Sequence, residues 1–131
     1  MTKVTSQGEA YPIISLAGRA ESIPLSQSDL PANIAANGTY TSPLILADGF
    51  YNLIVGATSD RAGALNVQRY IDEAGLVPVG AADTIALVAN TAKVLKINDS
   101  VPFGSYKVII TNTDGSNPAI ITAFAMRSTS N

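Results

Sequence analysis

The chain contains no cysteine and no histidine among its 131 residues. Without cysteine it can form no disulfide and offers no thiolate to a metal or a substrate. Without histidine it lacks the commonest general base and the commonest metal-binding side chain. Most hydrolase and transferase mechanisms therefore lose their usual residues, and carboxylates, lysines and oxygen-ligated metals are what remains for chemistry.

Charge is also scarce, because charged residues make up 14% of the sequence against roughly 25% in an average soluble domain. The eight basic residues are scattered from Lys3 to Arg127, whereas a nucleic-acid partner would select a basic stripe. No apolar run approaches the roughly 18 residues of a membrane span, and residues 1–10 lack a signal-peptide layout. We expect no nucleic-acid partner, no membrane partner and assembly in the cytoplasm.

The acidic residues offer few candidates for catalysis or metal binding. Asp72-Glu73 is the only adjacent acidic pair. A glycosidase would need two carboxylates across a sugar-binding cleft, whose base is usually aromatic, and the chain has no tryptophan. A solvated turn is therefore the favoured interpretation. Asn98 to Ser100 and Thr113 to Asn117 are rich in oxygen ligands but lack the spacing of an EF-hand loop, so turn chemistry is favoured over calcium binding. The sequence predicts no catalytic residue, no cofactor and no metal, and the chain is not expected to be an enzyme.

Residues 1–37 are predicted to form an extended N-terminal arm. Five proline and glycine residues interrupt them and break regular structure, leaving one short strand at Tyr11 to Leu16 and a turn of helix after Ser28. The apolar content is too high for a free, solvated tail, so we expect the arm to contact a partner. The predicted partner-binding residues are Ile13, Ile14, Leu16, Arg19, Ile23, Leu25, Leu30 and Ile34.

Residues 38–131 are predicted to form a β-sandwich domain, because short β-prone runs alternate there with turn residues. Eight strands are expected, the number in a jelly roll. They are Gly38 to Ser42, Gly49 to Ala57, Ala64 to Asp72, Leu76 to Val79, Asp83 to Ala89, Ala92 to Asn98, Ser105 to Asn112 and Pro118 to Arg127. The fold class is therefore all-β, a single β-sandwich or jelly-roll domain with an extended N-terminal arm.

Arg69 stands out within the third predicted strand. By alternation it shares a face with the apolar residues Leu65, Val67 and Ile71. Such an arginine either extends its head to solvent at a sheet end or forms an ion pair at an interface. We favour the first.

From Gly38 to Met126 the chain resembles small phage virion structural proteins. The residues that carry the resemblance are Gly38 to Ser42, the run Gly63 to Asp72, Pro102-Phe103 and the run Tyr106 to Thr113. The resemblance implies a β-sandwich or jelly-roll domain of a cement, decoration or tail-associated protein, often trimeric. It implies no active site.

Two functions of different class follow as expectations. The first is a non-enzymatic protein on the capsid surface of a virion, which binds major capsid protein subunits as a symmetric oligomer, expected to be a homotrimer. The second is a carbohydrate-binding or receptor-binding module of a phage tail or fibre, with Tyr40, Tyr51 or Tyr70 as exposed sugar-stacking rings. A small hydrolase using Asp72 or Glu73 is a distant third.

Overall fold

Short β-prone runs separated by turn residues become nine strands and one 3-10 turn in the computed structural model, which describes residues 21–130. The strands are β1 Glu21–Ser22, β2 Thr39–Thr41, β3 Ile45–Leu46, β4 Asn52–Ser59, β5 Gly63–Tyr70, β6 Asp83–Leu87, β7 Lys93–Ile97, β8 Ser105–Asn112 and β9 Ile121–Thr129. The 3-10 turn is Gln27–Asp29, close to the helical turn expected after Ser28.

The strands form two antiparallel sheets. The first sheet has the order β1-β9-β4-β7, and the second has the order β2-β8-β5-β6 with β3 also paired to β8. If β2 and β3 are counted as one broken strand along β8, each sheet has four strand positions, in the order of a jelly roll. The predicted all-β sandwich is confirmed.

The core lies between the two sheets and follows from the alternation within each strand. On β4, Leu53 and Val55 point inward, and on β8 the inward residues are Tyr106, Val108 and Ile110. These side chains meet in one continuous hydrophobic cluster. Burial of this cluster is the main driving force for the fold.

Turns account for two differences between the predicted and the observed strands. The strand expected from Gly49 starts at Asn52, because Asp48 and Gly49 have φ values of 51° and 84° and make a turn. The strand predicted over Leu76 to Val79 is wrong, since only an isolated bridge between Tyr70 and Pro78 forms there. The Asp72 carboxylate accepts the backbone N–H groups of residues 76 and 77 at 2.8–3.0 Å and holds that segment as a turn.

Residues 21–37, which the sequence analysis assigns to the arm, pack against the sandwich. Glu21 and Ser22 pair with Thr129 and Ser128 at the end of β9. Further along, Ile34 forms an isolated bridge with Ala119. The first sheet thus gains its outermost strand from the part of the chain before residue 38.

Candidate protein-binding surface

The outer face of the first sheet is apolar at its centre. The registers place Gly56 of β4 between Val94 of β7 and Ala125 of β9. One step along the same face, Ile54 lies between Lys96 and Arg127. We call the set Ile54, Gly56, Val94, Ala123 and Ala125 the apolar face.

Large and small side chains give the apolar face its shape. Ile54 and Val94 are 42% and 46% exposed, and both border a shallow depression of about 260 Å³ together with Gly56. A second depression of about 230 Å³ lies beside it, against Ala123 and Ala125. A surface with two shallow hollows and half-exposed aliphatic groups can receive side chains of another protein.

Basic residues border the apolar face. Lys96 and Arg127 flank Ile54 on it, and Lys93 borders the second depression. Arg127 makes one long contact of 3.8 Å with the Glu21 carboxylate, and both side chains are well exposed. Such a pair contributes little to stability. With three cations and the one carboxylate of Glu21, the rim carries a net positive charge.

The outer face of the second sheet has a different character. Asn66, Gln68 and Lys107 lie on adjacent strands there, at outward positions. Thr39 and Thr111 pair across β2 and β8, with their hydroxyl oxygens 3.4 Å apart. This face also carries Ala64, Ala86 and Ile109, so it is mixed in character, whereas the centre of the first sheet's outer face is apolar and suited to a partner.

Arg69 is an internal clamp, and the predicted solvent-directed arginine is wrong. Its residue is 7% exposed, and its guanidinium makes a two-pronged contact with Asp99 at 2.8 and 2.9 Å. Nε donates to Asp83 at 3.1 Å, and the guanidinium carbon lies 5.4 Å from the centre of the Phe103 ring. Asp83 begins β6 in the second sheet and Asp99 follows β7 in the first, so one side chain joins the two layers.

The clamp shifts the titration of its partner. Hydrogen bonds from Arg69 lower the pKa of Asp99 from 3.8 to about 2, against a smaller opposing effect of burial. The same hydrogen bonds raise the pKa of Arg69 further above its already high value. The clamp is thus charged at every ordinary pH, and it holds the end of β7 against β5.

The aspartate side chains of two turns accept hydrogen bonds from the backbone of their own turn. Asp72 accepts two backbone N–H groups, as described above, and these bonds lower the pKa of its carboxyl. In the loop after β8, Asp114 accepts the N–H groups of Ser116 and Asn117 at 2.8 and 2.9 Å, which lowers its pKa in the same way. Within residues 21–130 no group of three or more acidic side chains is arranged to hold a metal ion.

The three tyrosines proposed to stack on sugars are partly buried. Tyr40 and Tyr51 pack against the hydrophobic core, and Tyr51 also meets the Phe103 ring at 5.5 Å. Tyr70 lies under the ammonium group of Lys107, 5.9 Å from the ring centre. These rings are dispersed, so they do not form a common stacking platform.

The predicted arm residues divide into three groups. Ile13, Ile14, Leu16 and Arg19 lie outside the described residues. Leu25 and Ile34 are buried in the core of the same domain, and Leu30 is partly buried against it. Ile23 is exposed and is the described arm residue most available to a partner.

Sequence reasoning missed the apolar face as a site. It placed β4, β7 and β9 correctly in outline, but it asked which residues of each strand point inward. The outward residues Ile54, Val94 and Ala125 are separated by about 30 residues or more in the chain, and only the strand order joins them. The sequence signal that could have revealed the apolar face is the presence of apolar residues at the outward positions of these strands as well as at the inward ones.

Comparison of the chain with protein-family models, curated proteins and solved structures gives no match. Within residues 21–130, no helix has the length and apolar character needed to cross a bilayer.

Proposed function

We propose that the protein is a non-enzymatic structural protein that decorates a phage capsid by binding major capsid protein subunits. It acts as a symmetric oligomer, for which a homotrimer is the expected form. The observation that carries the proposal is the apolar face, with its half-exposed Ile54 and Val94 and its basic rim. The jelly-roll order supports it more weakly, since capsid domains use this fold but so do lectins.

Charge indicates what kind of surface fits. Two copies of the apolar face packed together would bring Lys93, Lys96 and Arg127 against the same residues of the second copy, and like charges repel. A partner surface with an apolar centre and an acidic rim avoids this cost and steers the encounter. The proposed partner is therefore a capsid subunit of that chemistry, and self-association uses another surface.

Energetics supports binding through this face. A fully buried aliphatic side chain contributes about 1.5–3 kcal/mol relative to an exposed one, and Ile54 and Val94 still have close to half of their surface to bury. The flanking Gly56 and Ala125 allow a partner backbone to approach closely. The sheet is already rigid, so little conformational entropy is lost on binding.

The test is co-sedimentation of the purified chain with expanded capsids of the phage that carries it, with light scattering to measure the oligomeric state. Val94→Glu places a charge at the centre of the face and is expected to weaken capsid binding at least tenfold, because a carboxylate would lose its water at the centre of an apolar contact. Thr84→Glu adds the same charge at an exposed position of β6 and is the matched control. Wild-type binding by Val94→Glu, or equal loss by both variants, would overturn the proposal.

A further inference from the structure

The second feature of the surface is a cleft at the open side of the sandwich, between β1 and the β2–β3 segment. Its volume is about 580 Å³, within the range of small-molecule sites. Its lining includes Leu25, Asp29, Ile45, Asp48, Tyr106 and Ser128. It lies apart from the apolar face and shares no residue with it.

Two nearly buried residues that carry hydroxyl groups line the cleft. Tyr106 and Ser128 are 1% and 2% exposed, and neither hydroxyl makes a hydrogen bond within the described part of the chain. Among residues 21–130, Arg61 Nε is the only fully enclosed side-chain polar atom without a partner. Neither hydroxyl is therefore fully enclosed, and the residues that carry them line the cleft.

Hydroxyl groups of nearly buried tyrosine and serine residues usually have a hydrogen-bond partner within the protein. Those of Tyr106 and Ser128 have none among residues 21–130, so their hydrogen-bonding capacity is open to water or to a bound molecule. These two residues line the cleft beside the apolar side chains of Leu25 and Ile45. A bound molecule that carries hydroxyl groups would complete these bonds and cover the apolar wall.

Negatively charged hydrogen-bond acceptors lie at the mouth of the cleft. Asp29 and Asp48 line it, while no lysine or arginine does. Asp29 also faces Tyr40, and burial together with that carboxylate raises the pKa of the Tyr40 hydroxyl, which keeps it a neutral donor. The lining therefore disfavours an anion and offers hydroxyl donors, carboxylate acceptors and apolar surface together.

We infer that this cleft is a binding site for a neutral saccharide, of the size of a monosaccharide or disaccharide. Sugar hydroxyls would donate to the Asp48 carboxylate and to Oδ1 of Asp29, because Oδ2 of Asp29 already accepts the Ser26 N–H and hydroxyl at 2.8 and 3.1 Å. They would also exchange hydrogen bonds with Tyr106 and Ser128. The C–H face of a pyranose would lie on the Leu25 and Ile45 side. A simple cation fits less well, because the most deeply placed polar groups are hydroxyls and the carboxylates lie at the exposed mouth.

The experiment is saturation-transfer NMR on the full chain, followed by calorimetry for each sugar that gives a signal. The probes are the methyl glycosides of glucose, galactose, mannose and N-acetylglucosamine, and the disaccharides maltose, lactose and chitobiose. At least one is expected to bind, and Tyr106→Phe is expected to weaken that binding about tenfold, the effect of one lost hydrogen bond. The ring and its contact with Phe103 at 5.9 Å remain in this variant, so the fold is retained.

Tyr70→Phe is the matched control, because Tyr70 lies outside the cleft, under Lys107, and its loss of a hydroxyl should leave sugar binding unchanged. Absence of binding by every probe at 20 mM (about the weakest useful affinity) would overturn the inference. Sugar binding that Tyr106→Phe leaves intact would also overturn it. So would binding of butylammonium in the cleft when no sugar binds, since that would show a cation site.

Discussion

Replacing Arg69 with methionine is expected to destabilise the fold substantially. The substitution keeps an unbranched apolar stem beside Phe103 but removes three hydrogen bonds of 2.8–3.1 Å to Asp83 and Asp99. Breaking a fully buried ion pair costs about 3–5 kcal/mol. Here the Asp83 and Asp99 side chains are 33% and 47% exposed and can regain water, so the expected loss is about 2–3 kcal/mol in the free energy of unfolding.

The measurement is urea unfolding at pH 7 followed by circular dichroism, with Arg127→Met as the control. Arg127 forms an exposed pair with Glu21, which should contribute about 0.5 kcal/mol or less. The double variant Arg69→Met with Asp99→Asn should show a coupling energy of about 1–2 kcal/mol. If the two methionine variants lose equal stability, the clamp does not hold the sheets together.

Three further outcomes are expected. The pKa of Asp99 is about 2 in the folded protein, against an ordinary value of 3.8. Its contribution to stability is therefore present above pH 4 and is lost as the pH falls from about 4 to 2. In the Arg69→Met variant, stability measured by urea unfolding should depend less on pH in that window. Gly63→Ala should lower the free energy of unfolding by about 1–3 kcal/mol, because a Cβ there would collide with a backbone carbonyl of β8. Gly80 has open space around it, so Gly80→Ala should change that free energy by no more than about 0.5 kcal/mol. Asn112→Ala should lower the free energy of unfolding by about 2–4 kcal/mol, since the buried amide of Asn112 donates to three backbone carbonyls and accepts one N–H. Asn66→Ala, on the outer face of the second sheet, should be near neutral. Equal losses in the two variants would show that the Asn112 hydrogen bonds do not stabilise the fold.

Strand alternation predicted most of the sandwich. The strand Ser105–Asn112 was predicted with its observed bounds, because the inward residues Tyr106, Val108 and Ile110 alternate there with Lys107, Ile109 and Thr111. The two-residue strands β1 and β3 were not predicted, since two residues carry no period. Their pairing is set by β9 and β8, whose paired residues lie 59 or more positions away in the chain.

The Arg69 clamp shows where sequence reasoning stops. Alternation placed Arg69 correctly on the inner face of β5, but its partners are 14 and 30 residues further along the chain. Nothing local to Asp83 or Asp99 distinguishes these carboxylates from ordinary turn residues. Only the fold brings the end of β7 over β5, and the choice between solvent and an internal ion pair depends on that approach.

The cleft and the apolar face could not be predicted for a related reason. Tyr106 could be predicted as a core residue from its place in β8, but whether its hydroxyl finds a partner depends on the gap between β1 and the β2–β3 segment. The exposed position of Val94 acquires meaning only beside Gly56 and Ala125, which other strands supply. Each site is a property of strand order.

The most direct test of capsid binding through the apolar face is hydrogen–deuterium exchange of the protein, free and bound to expanded phage capsids. The proposal predicts slower exchange on binding at Asn52–Ser59, Lys93–Ile97 and Ile121–Thr129, the strands that carry the apolar face. It predicts no change at Gly63–Tyr70 in the middle of the second sheet. Protection confined to the second sheet, or no protection in either sheet, would contradict it.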